Sequence, residues 1–234
     1  MKIGILMTGH ALPSLIERRG DYDAIFAEML AGYGFDFENF AVVDGQFPDG
    51  PTDADGWLIT GSKHGAYEDL PWIPPLEALI RDIQAAGRPL VGVCFGHQII
   101  AQALGGQVVK YPGGWSVGRQ TYTIDGERIK MNAWHQDQVI EAPKDARIIG
   151  HSDFCANAAM AIGDTILTIQ PHPEFDADIL GAIVEERGRG VVPEALLKTA
   201  RDDLHQPNDR MDFVARIAGF FQAAAQRAPS EAEI

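Results

Sequence analysis

Two short stretches combine residue types at spacings suited to covalent chemistry on a carbonyl group. The first is Gly92-Val-Cys-Phe-Gly96, a cysteine version of the Gly-x-Ser-x-Gly turn that presents a nucleophile between a strand and a helix. The apolar run Leu90 to Val93 before it reads as a buried strand, and Gln98 to Leu104 as a helix stopped by Gly105-Gly106. A lone cysteine is ordinarily assigned to a core. Here the glycines decide otherwise: they allow backbones to approach closely in a tight turn. That turn aims Cys94 at the amino end of a helix, where the dipole and free amides favour a thiolate.

The second stretch is Thr168-Ile-Gln-Pro-His-Pro-Glu-Phe175. A residue before proline is pushed out of the helical region, so Gln170 and His172 should be extended. Residues two apart in an extended chain face the same way, which puts His172 and Glu174 on one side. That pair supplies a general base for a thiol and a carboxylate to orient the imidazole and stabilise its cation. A third stretch, Asn132-Ala-Trp-His-Gln-Asp-Gln-Val139, breaks an otherwise apolar strand with polar residues. Its His135 and Asp137 have no further ligand at metal-binding spacing, so no metal is expected. His10, His64, His151 and His205 are assigned surface or structural roles, and His97 local packing. Cys155, with no elbow and no paired base, reads as a structural thiol.

The elements that must position these residues follow from the hydrophobic pattern. Lys2 to Thr8, Phe35 to Val43, Trp57 to Thr60 and Leu90 to Val93 read as strands. A helix capped by Asp21 and one over Leu76 to Ala86 alternate with them, and Asp44 to Asp55 is loop. Such alternation predicts an α/β fold: a three-layer, flavodoxin-like arrangement with a mostly parallel central sheet and helices on both faces. Sites in such sheets lie beyond the carboxyl ends of the strands, where Thr8-Gly9, Thr60-Gly61 and Cys94 fall. After Gly106 the strands Val108 to Tyr111, Arg119 to Ile124, Lys130 to Ala133, Ala158 to Ile162 and Thr165 to Gln170 predict a small antiparallel flank. The last two are joined by a Gly163-Asp164 hairpin turn. Three C-terminal helices follow, over Ala177 to Arg187, Pro193 to Leu204 and Asp209 to Ala225, with Asp209 as a cap and a frayed tail from Gln226. The whole of residues 1–234 is read as one domain with a helical extension over about residues 190–226.

With 19 Lys and Arg against 33 Asp and Glu, the net charge is −14. That balance repels phosphate backbones and anionic membranes, so neither nucleic acid nor a membrane is expected as a partner. Two cysteines suit a reducing compartment, and neither an export signal nor a membrane span is visible, so the expected address is the cytoplasm.

Val93-Cys-Phe-Gly-His-Gln98 together with His172-Pro-Glu174 resembles the class I glutamine amidotransferases, whose signature is a Gly-x-Cys-x-Gly-His-Gln elbow and a distant His-Pro-Glu. The resemblance extends from Lys2 to about Leu180. It implies Cys94 as nucleophile, His172 as base and Glu174 as its orienting acid. It also implies oxyanion amides from Gly61 and Phe95, and a glutamyl site at Gln98 with backbone of the Trp134, Gln136 and Asp137 strand. Gly61-Ser-Lys-His-Gly-Ala-Tyr67 and Trp134-His-Gln-Asp-Gln-Val139 are most similar to the branch related to the amidotransferase domain of GMP synthetase, which includes stand-alone γ-glutamyl peptidases. Two departures, Ser62-Lys63 for the usual Gly-Pro and Gln136 for a glycine common in the synthetase, bear on substrate more than chemistry.

The leading expectation is a cysteine hydrolase of γ-glutamyl amides, glutamine included, working through a glutamyl thioester without a cofactor. One alternative is a glutaminase subunit that delivers ammonia to a separate synthetase. Another is a catalytically silent binding or regulatory module. The partner expected is a small γ-glutamyl molecule, with a synthetase or a second copy of the chain as the macromolecular options. About fifty residues follow the amidotransferase-like part, too few for a nucleotide-binding domain.

Overall fold

A computed structural model describes residues 1–227 of the chain. Four strands at its centre are short, apolar and buried, as strands covered on both faces must be. They are β1 (Lys2–Leu6), β3 (Gly56–Ile59), β4 (Leu90–Val93) and β11 (Ile166–Ile169). With β2 (Asp36–Phe40) on the outside they form a parallel run ordered β2-β1-β3-β4-β11. The same sheet continues antiparallel through β10 (Ala159–Ile162), β9 (Ala146–His151), β6 (Ser116–Ile124) and β7 (Glu127–His135), nine strands in all. The Gly163 turn between β10 and β11 has φ 54°, as the predicted hairpin requires. A two-stranded ribbon of β5 (Gln107–Lys110) and β8 (Asp137–Glu141) stands apart.

Helices cover both faces. On one face, α1 (Pro13–Arg19), α2 (Tyr22–Met29), α5 (Ala177–Arg187), α6 (Glu194–Asp202) and α7 (Arg210–Arg227) contribute Leu15, Phe26, Ile179, Leu197 and Phe213 to a single apolar cluster. On the other face, α3 (Ile73–Ala85) and α4 (Phe95–Ala103) build a second cluster around Leu76, Ile80 and Ile99. The three-layer α/β expectation therefore holds, with the antiparallel flank continuous with the parallel half.

Several local expectations change. Pro13 starts a helix, α1, that the hydrophobic pattern did not reveal, because proline fits the first helical position. The paired prolines of Ile73-Pro-Pro do the same for α3, which begins three residues before Leu76. Strand β9 was not anticipated. The polar stretch after Asn132 is not one interrupted strand: β7 ends at His135 in the large sheet, and β8 starts at Asp137 in the ribbon. Pro193 flanks α6 rather than opening it. Asp21 caps α2 by accepting from the Tyr22 amide, as expected. Asp209 does not cap α7 with its side chain: Oδ2 accepts from the Lys130 amide 2.7 Å away, tying that helix to β7. Most of the predicted tail, residues 228–234, lies outside the described residues.

Packing at the elbow explains its glycines. A Cβ on Gly92 would sit 2.5 Å from the Gly96 carbonyl oxygen, and one on Gly96 would press into the Ile59 carbonyl, 2.9 Å from its carbon. Gly92→Ala or Gly96→Ala should therefore lower stability by about 1–3 kcal/mol through overpacking against rigid backbone. Gly219→Ala, at an exposed position of α7 where a Cβ meets nothing within 4 Å, should raise it by roughly 0.5–1 kcal/mol. Denaturant titration of the three variants checks both signs.

Candidate active site

Cys94 sits between β4 and α4 with φ 53° and ψ −103°, a region that a non-glycine residue occupies only when its surroundings hold it there. Three hydrogen bonds do so. The Cys94 amide donates to the Ile169 carbonyl (2.9 Å), the Gly96 amide to the Thr60 carbonyl (3.1 Å) and the Gln98 amide to the Cys94 carbonyl (3.1 Å). The thiol is thereby fixed at the carboxyl edge of the sheet and at the start of α4.

The loops leaving β1 and β3 are clamped beside it. Thr8 Oγ1 lies 3.0 Å from the Thr60 carbonyl oxygen and 3.1 Å from that of Gly61, while Ser62 Oγ donates to the Thr8 carbonyl at 2.7 Å. Gly61 is brought so close that a Cβ there would stand 3.3 Å from His172 Cε1 and 3.8 Å from Cys94 Cβ. Among the described residues, the Gly61 and Phe95 amides have no hydrogen-bond partner. The Phe95 side chain points away and packs against Trp72 on the α3–α4 face.

His172 arrives from β11 and is pinned by β7. Its amide donates to the Asn132 carbonyl (2.9 Å), and Asn132 Nδ2 donates to the Phe175 carbonyl (2.9 Å), closing the Pro-His-Pro turn from both sides. His172 Nδ1 lies 2.7 Å from Glu174 Oε1, and both side chains are buried, so the two-residue spacing does place them together. Phe175 stacks flat on the imidazole, centroids 3.9 Å apart. His172 Nε2 is buried and makes no hydrogen bond among the described residues. Burial works against the imidazolium, but the charges of Cys94 and Glu174 outweigh it and hold the group up at about 10.

The other buried histidines behave in the opposite way. His97 Nδ1 lies 2.8 Å from Thr168 Oγ1, and burial followed by His135 pushes His97 down to about 3. His135 is also held near 3, by burial, with Nδ1 3.1 Å from the Asp137 carbonyl oxygen. Both are neutral at ordinary pH, and only His172 combines a carboxylate partner with proximity to Cys94. Cys155 is buried in a turn, its amide 3.0 Å from Ser152 Oγ, and burial pushes its thiol up to about 12, the reverse of an activated sulfur.

A cavity of about 480 Å³ opens in front of Cys94 and takes in Gly61, Gln98, Trp134, Gln136, Asp137 and His172. Glu174 stands behind His172, outside it. Gln98 is committed to structure: its Nε2 donates to the Asp137 carbonyl (2.9 Å) and to Gln170 Oε1 (3.0 Å), so it anchors the start of β8. Tyr67 Oη, 3.1 Å from Asp137 Oδ2, ties the loop after Gly61 to that same point. Burial raises both: the Asp137 carboxyl above its usual range, and the Tyr67 phenol, with Asp137 adding to the effect, up to about 12.

Lys63, His64 and Tyr67 line the cavity and His10 does not. Neither His10 nor His64 stands alone. The His10 ring is held between Asp21 (2.6 Å) and Asp44 (3.2 Å), and His64 lies 3.1 Å from Glu68. Sequence reasoning missed Gln170, whose Nε2 is 3.6 Å from Cys94 Sγ; the alternation that paired His172 with Glu174 also placed Gln170 on that side. It also missed Tyr22, Trp115 and Arg187, which carry no local signal. Among the described residues no group of three or more His, Cys, Asp or Glu is gathered to hold a metal, and no helix is long and apolar enough to cross a membrane.

The family model for class-I glutamine amidotransferases matches residues 44–185, which include the elbow and the His-Pro-Glu turn. This chain belongs to that family. It is similar to γ-glutamyl peptidase 4 of Arabidopsis thaliana, at 34% identity over 71% of this chain and 72% of the relative. It is also similar to a glutamine-hydrolysing GMP synthase of Clostridium acetobutylicum, at 32% identity over 50% of this chain and 24% of that protein. A solved glutamine amidotransferase from Methylobacillus flagellatus shares the fold, with a TM-score of 0.75, 24% identity and coverage of 96% of this chain and 92% of the other. The family assignment matches the sequence reading, including its branch.

The pairing of His172 with Glu174 sets a pH dependence. Because the folded-state value of His172 lies above the unfolded value of about 6.5, the imidazolium's contribution to stability is complete below that pH and is lost as pH rises towards 10. Glu174→Gln removes one of the two charges that oppose burial, so His172 should titrate at a lower pH. An NMR titration of the imidazole in both proteins checks this; an unchanged midpoint would contradict it.

Proposed function

We propose that this chain hydrolyses γ-glutamyl amides, with Cys94 as nucleophile, His172 as base and acid, and Glu174 as the group that orients and charges His172. The observation that carries the reading is the buried 2.7 Å His172–Glu174 pair beside a cysteine held at positive φ. In the first half-reaction the Cys94 sulfur attacks the γ-carbonyl carbon, and the oxygen develops charge towards the free amides of Gly61 and Phe95. The C–N bond then breaks, the imidazolium gives its Nε2 proton to the departing amine, and a glutamyl thioester remains. Water attacks that thioester, His172 takes one of its protons, the C–S bond breaks to give thiolate and a γ-carboxylic acid, and the acid loses the second proton to solvent. The neutral, buried His97 and His135 have no carboxylate to stabilise a cation and take no part in this relay.

Gln98, Trp134, Gln136 and Asp137 form the glutamyl end of the site in this reading. Gln98 acts through the Asp137 backbone that it fixes, and Asp137 accepts from the substrate's ammonium. The chain as a whole, residues 1–234, is taken as one domain. Two observations favour a leaving group larger than ammonia. The cavity falls within the roughly 300–1,000 Å³ typical of sites for sizeable small molecules. The γ-glutamyl peptidase match also spans most of that relative, whereas the GMP synthase match spans a quarter of its own.

Cys94→Ala should abolish turnover and Cys155→Ala should spare it. His172→Ala should cost about 10²- to 10⁴-fold in kcat, Glu174→Gln less, and the double variant no more than His172→Ala alone, because the pair acts as a unit. Purified protein is assayed alone against glutamine and a panel of γ-glutamyl amines and peptides, following release of the amine. Turnover of bulky conjugates is the expected result. Glutaminase activity that appears only with an added synthetase would instead favour ammonia delivery, and substrate-protectable alkylation at Cys155 alone would overturn the assignment of the nucleophile.

A further inference from the structure

The cavity crosses the top of the sheet and has two unlike walls. One comes from the loop after Gly61 and from Asp137, joined by the Tyr67–Asp137 contact and backed by the α3–α4 face, to which Ala66 belongs. The other comes from the α2–α5 face: Tyr22, Phe175 and Ile183 are members of the opposite apolar cluster, and Arg187 and Val191 extend that wall outwards. Cys94 and His172 lie between the walls. Each carries positive charge, Lys63 and Lys110 with Asp137 on the first and Arg187 on the second.

Arg187 is the arginine that lines the cavity, and its charge is not matched by a carboxylate. Arg18, Arg19, Arg201 and Arg216 each pair with a carboxylate. Among the described residues Arg187 has none within 4 Å. Its Nη2 donates to the His10 carbonyl oxygen at 3.1 Å, which aims the guanidinium without neutralising it. Two carboxylates at that loop, Asp21 and Asp44, are taken by the His10 ring. Tyr22 links this corner to the reacting groups. Burial raises its phenol above the usual value, Arg187 is the largest influence opposing that rise, and Cys94 and Glu174 both lie within electrostatic reach.

We propose that Arg187 determines specificity at a leaving-amine subsite, where it takes the carboxylate of an amino acid or short peptide joined to the glutamyl group through its nitrogen. The proposal rests on the hydrolase reading above and narrows its substrate class. A γ-glutamyl peptide carries two separated carboxylates, one on the glutamyl unit and one on the leaving residue, and the cavity offers a cationic group on each wall. The planar guanidinium suits bidentate recognition of a carboxylate. Phe175, Ile183 and Val191, with Trp115 and Trp134 (centroids 5.9 Å apart) packed against the same apolar cluster, fit an apolar or aromatic side chain on the leaving residue. Ammonia and simple alkylamines would leave Arg187 unused.

The test compares γ-glutamylphenylalanine with its C-terminal carboxamide, which keeps shape and removes the charge. Affinities are measured by calorimetry on Cys94→Ala, where no turnover is needed, and on Cys94→Ala combined with Arg187→Met or Arg187→Lys. The expected result is a roughly 10- to 100-fold preference for the acid, lost with Met and partly kept with Lys. In protein with Cys94 intact, the acid-to-amide ratio of kcat/KM should fall in parallel. A merely structural Arg187 would weaken both ligands alike or lower Tm and leave the preference intact. That outcome, equal affinity for acid and amide, or no binding of either compound overturns the proposal. Acid-selective binding that depends on Arg187, without hydrolysis when Cys94 is present, would overturn the hydrolase reading and leave the subsite standing.

Discussion

The arrangement depends on how closely the backbone of α4 approaches the end of β3. With hydrogen as its only side chain, Gly96 lies against the Ile59 carbonyl and donates to the Thr60 carbonyl, and Gly92 makes room beneath it. This contact does two things at once. It forces Cys94 into a backbone conformation that lifts the sulfur clear of the sheet, and it brings the Thr60-Gly61 turn alongside. A side chain at either glycine would separate the thiol from the Gly61 amide, so the two halves of the site are set by one steric constraint.

Around that point the sheet acts as a jig. The parallel register of β4 between β3 and β11 brings Thr60, Cys94 and Gln170 to one edge. Strand β7, from the far side of the same sheet, reaches back through Asn132 to hold the Pro-His-Pro turn. The buried His172–Glu174 pair is costly to desolvate, and the charges of Cys94 and Glu174 offset that cost to the imidazolium. His97 and His135, equally buried but without a carboxylate, remain neutral. Environment, not residue type, separates His172 from its neighbours.

The sequence disclosed most of this edge and little of what faces it. Cys94, His172 and Glu174 were legible because their neighbours are Gly and Pro, whose backbone restrictions act locally, and the apolar runs of the central strands fixed the fold class in the same way. Boundaries moved where prolines start helices, at Pro13 and Pro74. Misreading Asn132 to Val139 as one strand had a physical cause: the chain passes between two sheets at Gln136 while keeping extended, alternating residues on both sides. Tyr22, Trp115 and Arg187 were invisible because their place in the cavity comes from packing between elements far apart in the chain. Asp209 looked like a cap and became a tether to Lys130, since a tertiary amide competed for the same carboxylate.

The order of these contacts along the chain also governs when the protein can act. Cys94 lies in the first half of the sequence, but His172 comes 78 positions later, counted from residue 94 to residue 172, and Arg187 reaches back 177 residues to His10. During synthesis the elbow strand emerges with its neighbours β1 and β3 already available, whereas β11, inserted beside β4, is among the last strands to be made. In a nascent chain Cys94 therefore lacks His172 and Glu174 beside it until the sheet closes around it. Non-local closure of this kind is slow relative to local pairing, so the connectivity itself makes assembly of the candidate site a late event.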